Sequence, residues 1–329
     1  MIGLANWLAG ERVSSGYTID GLDPFEVNME NFNGMGATVR FADRFSDKTA
    51  PHDRGKRVNV TLLGVNTHGA TAKAEGHRGA VRLAAELIGA LEGQSVLVQD
   101  FESNAVRDCD GVLRLWLRDD RGRAALEQEL RQIVGPHVPR GAGWSIETVE
   151  TPDPTAGHAQ AITDMLGFVR SFIASRTGAP LLCEDSDDFE GYTHPYRART
   201  VEGQVQLDFR IRDFDRAELA SRRDHLVSLA TSLVPEVTVD AVEQYGNMAN
   251  KLAHRSDLLD KAIAAARDID VHAKRTPIRG GTGVDPFLDR GVFVANLGTG
   301  YFAPESEKEF TSMQLLAKHA LWLVALVQR

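Results

Sequence analysis

Apolar and polar residues alternate along this chain with two different periods, and each period predicts an element. Val58, Val60 and Leu62 alternate with Asn59 and Thr61, which predicts a strand over 57–64. Phe25 to Phe41 alternate in the same way. Tyr17-Thr18-Ile19-Asp20-Gly21 sets β-formers before Asp-Gly, the pattern of a strand ending in a tight turn. Val81, Ala84, Ala85, Ile88 and Leu91 instead recur at helical spacing and stop before Gly93, predicting a helix over 79–92. Asp43 to Lys56, with Pro51, reads as a charged loop.

The pattern then echoes itself. A strand at 110–119 leads to a helix at 124–134, and a strand at 202–213 leads to a helix at 216–233. Both strands finish on Arg-Asp, as Arg118-Asp119 and Arg212-Asp213. Each helix leads to a β-like stretch, 144–149 or 237–242, and each strand follows a helix, 79–92 or 158–175. Two similar α+β units in tandem are the simplest account. Residues 249–329 have another rhythm: a helix at 257–266, a Gly-rich turn at 279–283 and an apolar strand at 291–298. A last helix opens on Thr311 and Gln314, the two positions of a capping box, and runs to Val327. That alternation suggests part of a sheet with helices on both faces, but 1–22 and 249–329 supply too few strands to complete one. The expected class is α/β (α+β): tandem two-layer αβ-sandwiches with antiparallel sheets, plus a partial α/β layer from both chain ends. The expected boundaries are 1–23, 24–152, 153–248 and 249–329.

Composition narrows the function classes. A chain of 329 residues holds two or three domains, and 43% hydrophobic with 25% charged residues is a globular balance. A net charge of -9 argues against general affinity for nucleic acid or anionic membranes. Met1-Ile2-Gly3-Leu4 lacks the basic start of a signal peptide. The longest apolar run, 320–327, falls far short of the roughly 20 residues that span a bilayer. Cys109 and Cys183 are too few for a disulfide framework, so the cytoplasm is the expected location.

Candidate chemistry is sparse. The ten histidines form no HxxxH or HxD pair, so the residues alone assemble no metal site. Asp20 stands at the end of a strand, where α/β sites gather, although Asp before Gly is more often a turn former. Glu305, among Glu307 and Glu309, reads as a solvated loop. His68, between a strand and a helix, is of a type that polarises a carbonyl or steadies an oxyanion. Arg212 could bind a carboxylate in bidentate fashion, or simply pair with Asp213 or Asp215. Arg279-Gly280-Gly281-Thr282-Gly283 could offer backbone N–H groups or be only a turn. No GxSxG and no Cys–His pairing suggests a covalent hydrolase.

Six segments in fixed order resemble successive landmarks of peptidase T: Tyr17-Thr18-Ile19-Asp20-Gly21, Glu30-Asn31-Phe32-Asn33, Asn66 to Lys73, Ile211 to Arg216, Tyr245-Gly246-Asn247-Met248 and Pro277 to Thr282. The doubled middle is similar to the lid of aminoacyl-histidine dipeptidase, and Ser103-Asn104-Ala105-Val106 fits that lid's asparagine motif. The resemblance implies a dipeptidase or tripeptidase with two cocatalytic zinc ions, acting on short peptides. It implies two lid subdomains at 24–152 and 153–248, with parts of a catalytic domain at 1–23 and 249–329. It carries Asp20 over as a zinc ligand and Glu305 onto the position of the last zinc ligand, a histidine in the family. His68 becomes the lid histidine that steadies the tetrahedral intermediate, Asn104 and Arg212 the holders of the substrate carboxylate, and Gly281 and Thr282 a wall of the cleft.

The departures matter as much. The family's His-x-Asp pair, bridging Asp and Glu-Glu pair precede the Tyr-Thr-Ile-Asp-Gly strand, and the 16 residues before Tyr17 contain none of them. Gly283 stands where peptidase T has an acidic residue. The expectation is therefore a peptidase homologue incomplete at its N-terminus, inactive as it stands, holding zinc weakly or not at all. The alternative is a non-catalytic small-peptide-binding or assembly protein derived from the lid. Short peptides are the expected partners, with no nucleic acid or membrane, and with self-association possible through the lid or exposed sheet edges.

Overall fold

The computed structural model describes residues 4, 7, 8, 10, 11, 13–42, 55–103, 109–149, 159–175, 190–234 and 236–329. Strands β1 (Ser15–Gly21), β2 (Glu26–Asn28), β3 (Asn33–Phe41) and β4 (Lys56–Leu63) come first. Helices α1 (Gly69–Ala74) and α2 (Ala80–Ala90) precede β5 (Val96–Ser103) and β6 (Gly111–Leu117). Then follow α3 (Asp120–Ile133), β7 (Gly143–Val149), α4 (Ala159–Ala174), β8 (Tyr192–Val201), β9 (Gln204–Asp213), α5 (Arg216–Leu233) and β10 (Thr238–Tyr245). The remainder holds α6 (Ser256–Arg267), β11 (Lys274–Arg275), β12 (Phe293–Gly298) and α7 (Met313–Val327). The α/β class with antiparallel sheets is as the sequence predicts. Among the described residues no helix is long and apolar enough to cross a membrane.

The chain divides into two compact units: one of residues 1–35, 212–219 and 243–329, the other of 36–211 and 220–242. The first contains a mixed sheet in the order β1-β12-β2-β11. β1 runs parallel to β12, with Tyr17 opposite Ala295, and β12 runs antiparallel to β2. β1 is an edge of this sheet, and Ile19 on it is exposed. Leu258, Ala262, Ala265 and Ala266 of α6 join Val294, Leu297 and Trp322 in the core. The Trp322 indole N–H donates to the Ala262 carbonyl at 2.9 Å, so a large ring is buried without orphaning its polar atom.

The second unit contains two four-stranded sheets, β5-β6-β4-β7 and β10-β3-β9-β8. The first of these is antiparallel throughout, with Val58 opposite Leu115 and Thr148. Its alternation is the one visible in the sequence: Val58, Val60 and Leu62 point inward, as do Leu113, Leu115 and Leu117. In the other sheet β8 turns into β9 at Glu202 and Gly203, both with positive φ (51° and 79°), as a type I′ hairpin turn requires. Phe168 and Phe172 of α4 pack edge-on to Phe209 of β9, at 6.3 and 5.3 Å between ring centroids. Gly89 lets α2 approach α4, since a Cβ there would meet the Arg170 side chain at 2.8 Å. The edge strands β5 and β8 meet where the Ser103 hydroxyl donates to the Ala198 carbonyl (3.0 Å) and accepts from its N–H (2.9 Å).

β3 lies between β9 and β10, in the sheet built from the later part of the chain. The stretch from β4 to β7 is thus inserted between β3 and α4, and the strand pairing is nested rather than sequential.

Candidate functional site

Arg212 is the next-to-last residue of β9, whose final residues fall in the first unit. Val205, Leu207, Phe209 and Ile211 of this strand are buried, and Arg212 falls on the other face with Asp208 and Arg210. Arg212 is itself buried. Its Nη1 donates to the Met35 carbonyl and its Nη2 to Gln244 Oε1, both at 3.0 Å. The guanidinium carbon lies 5.1 Å from the centre of the Tyr245 ring. Nearby, Asp213 Oδ1 accepts from the Asp215 N–H at 3.0 Å. Asp215 Oδ1 in turn caps α5, accepting from Ala217 N at 2.6 Å and Glu218 N at 3.0 Å.

Three asparagines brace this corner. Asn33 Nδ2 donates to the carbonyls of Asp213 (3.1 Å) and Phe214 (2.8 Å), and Asn33 Oδ1 accepts from Asn247 N at 2.9 Å. Asn31 Oδ1 accepts from Met248 N at 2.7 Å, and Asn247 Nδ2 donates to the Phe214 carbonyl at 3.3 Å. Carboxamides suit the task because each offers a donor and an acceptor to irregular backbone. Gly281 and Thr282 belong to the same unit. A Cβ on Gly281 would stand 2.9 Å from Cε1 of Tyr245. Thr282 is buried, and its hydroxyl has no hydrogen-bond partner among the described residues.

Asp20 and Glu305 are also brought together. Partial burial, and then the neighbouring Glu305 carboxylate, push the Asp20 carboxyl above its ordinary range. Tyr301 responds to the same charges: burial, then Asp20, Glu309 and Glu305, push its phenol up, so it stays a protonated donor at neutral pH. Glu305 sits in a tight loop with positive φ (58°), as does Ala303 (52°), and its N–H is held by Glu309 Oε2 at 3.0 Å. Zinc takes three or four His, Cys, Asp or Glu ligands. Among the described residues no group of three such side chains stands together, so the donors present do not fit a zinc site.

His68 lies in the second unit, in the connection from β4 to α1. Its Nδ1 accepts the Ala70 N–H at 3.2 Å, so a neutral ring carries its proton on Nε2. The loop therefore holds a hydrogen-bond donor rather than a base. Gly69 lies against the buried Tyr192, whose hydroxyl would be 3.0 Å from a Cβ there. Asn104 lies outside the described residues.

No family model matches the sequence. Over 166 residues the chain is 28% identical to peptidase T of Escherichia coli, a match covering 47% of this chain and 41% of that protein. The chain is related to peptidase T. The crystal structure of aminoacylhistidine dipeptidase from Vibrio alginolyticus shares its fold: the TM-score is 0.61 at 15% identity, over 96% of this chain and 65% of that one. The chain thus matches less than half the length of the curated peptidase T and about two thirds of the dipeptidase.

Some of the residues singled out from sequence share neighbours within the first unit. Arg212 and Gly281 meet at Tyr245. Asp20 and Glu305 are close enough for the charge of one to raise the carboxyl of the other. The sequence reading gave no role to Tyr245, although it lies in one of the six landmark segments, and did not single out Tyr301. The signal for Tyr245 was present in Gly34 and Gly281, glycines whose missing side chains make room for a ring.

Proposed function

We propose that this chain is a short-peptide-binding protein of the peptidase T kind, taking the free C-terminal carboxylate of its ligand on Arg212. The observation that carries this reading is the buried guanidinium held by Met35, Gln244 and Tyr245, a plane fixed for a planar anion. Asn104 is the second holder of the carboxylate, Gly281 and Thr282 form a wall of the cleft, and His68 donates Nε2–H to a peptide carbonyl. Asp20 and Glu305 keep the position of metal ligands in the family, where zinc supplies a nucleophilic water, but two carboxylates fall short of that site. The chain by itself therefore binds rather than cleaves, and its expected compartment is the cytoplasm.

Isothermal titration of trialanine against trialanine amide tests the binding. The acid should bind roughly tenfold more tightly, as one charged hydrogen-bonding contact warrants; equal affinities sink the reading. Chromatography of trialanine incubated with the protein and added zinc tests the second part. Turnover that disappears in Asp20→Asn would show a working metal site and overturn the view that the chain only binds.

A second reading, an assembly role, is favoured by one observation. α7 leaves Met313, Leu316, Leu321, Val324 and Val327 exposed on a face without charge. Sedimentation velocity over a concentration series decides it, because a chain that stays monomeric gives that face no self-assembly role.

A further inference from the structure

We infer that Tyr245 is a positioning residue that locks Arg212 to the Gly281 wall, a role that rests on the carboxylate-binding reading above. The starting point is two glycines that need no backbone freedom. Neither Gly34 nor Gly281 is among the residues with positive φ, so nothing in their conformation calls for glycine. Space does. A Cβ on Gly34 would lie 2.4 Å from Cζ of Tyr245 and 2.5 Å from Cε1. A Cβ on Gly281 would lie 2.9 Å from Cε1 and 3.0 Å from Cζ. Both approaches are closer than carbon atoms tolerate, and both are aimed at the same ring.

The ring is therefore gripped by two segments far apart in sequence. Against it rests the Arg212 guanidinium, with Nη1 on the Met35 carbonyl next to Gly34 in the chain, and Nη2 on Gln244 next to Tyr245. Gly34, one neighbour of the ring, is thus bonded in the chain to Met35, whose carbonyl holds the arginine, and Tyr245 itself follows Gln244. A flexible side chain becomes a fixed fork, which is the condition for choosing a carboxylate over a neutral amide. The same ring thus borders both Arg212 and the Gly281 loop. Tyr245 acts through Arg212, and the ring rather than the hydroxyl carries the effect.

Titration of the full-length chain and its variants with trialanine and trialanine amide tests this. Tyr245→Phe should keep the preference for the acid. Tyr245→Ala should lose it, with acid affinity falling roughly tenfold to that of the amide and amide affinity unchanged. A merely structural residue would weaken both ligands alike, and that result overturns the inference, as does a Tyr245→Ala chain that keeps its preference. A wild type without preference sinks the carboxylate reading itself, and the role of Tyr245 falls with it. Melting temperatures check the geometry separately. Gly281→Ala should lower the midpoint by several degrees in the wild type and far less in Tyr245→Ala; equal losses in both backgrounds overturn the proposed grip.

Discussion

The two units differ in how completely they cover their own apolar surface. In the second, helices α2 and α4 bury Val81, Leu83, Ala84, Leu166, Val169 and Phe172, and large exposed hydrophobics are scattered: Leu63, Leu97, Val138, Leu233 and Val242. In the first they cluster. Leu4, Trp7, Val13, Ile19 and Phe310 are exposed there, and α7 adds Met313, Leu316, Leu321, Val324 and Val327, the last 86% exposed. Scattered apolar residues need no account, but an apolar helix face does, as does an edge strand such as β1. The Asp20–Glu305 pair and the Arg212 corner both belong to this less covered unit.

The comparison breaks most readily at the two cores. Trp322→Ala removes a buried indole and its bond to Ala262, and should cost about 3–5 kcal/mol. Phe209→Ala, in the second unit, should cost a similar amount. Denaturant unfolding followed by tryptophan fluorescence and by circular dichroism then shows whether each loss affects one unit or both. A single transition shared by both variants would mean that the units do not unfold separately.

Acid sharpens the contrast. Burial, then Arg210 and Arg82, push His194 in the second unit down to about 3 from its ordinary 6.5. A depressed histidine gives stability that is complete above pH 6.5 and is lost as pH falls toward 3. Asp20 in the first unit has the opposite sign: its raised carboxyl favours the folded state at low pH, and that contribution is lost as pH rises through the raised value. Stability measured from pH 4 to 7 should fall less steeply with acid in His194→Asn, and Asp20→Asn should remove the opposing slope. An unchanged profile in His194→Asn refutes the first statement.

Smaller effects test surface and caps. Asp119→Ala should lower the melting midpoint slightly, because the carboxylate accepts from Gly122 N at 3.0 Å at the start of α3. Val324→Lys on α7 should change stability by no more than about 0.5 kcal/mol. If that face associates, the same change should lower the sedimentation coefficient at high concentration.

Much of this was legible in the residues because local periodicity dictated it. The strand at 57–64 appears as Lys56–Leu63, the strand at 202–213 as Gln204–Asp213, and the helix at 79–92 as Ala80–Ala90. The capping box was misplaced by one residue: Ser312 is the cap, its hydroxyl accepting from Leu315 N at 3.1 Å. Thr311 instead donates to the Gly300 carbonyl at 2.6 Å, a partner eleven residues away that no local pattern can announce. The two Arg-Asp echoes diverge for a similar reason. Asp119 caps its helix directly, whereas Asp213 holds the backbone of Asp215, and Asp215 makes the cap. Sheet membership of β3 was hidden too, since alternation says which face is buried and not which strands are neighbours. For the site, the acid pair and Arg212 were identifiable as types, while Tyr245 became visible only when Gly34 and Gly281 were seen to converge on it.

The nested order of strands has a consequence for the time course of synthesis. β3 pairs with β9 and β10, and the whole of β4 to β7 is made in between. At ~5–20 residues per second, β3 leaves the ribosome on the order of ten seconds before its neighbours exist. The inserted sheet, by contrast, holds all its partners within one continuous stretch and can close as soon as β7 emerges. A newborn chain therefore carries one finished module and one waiting strand, and chaperone binding at 33–41 should peak in that interval.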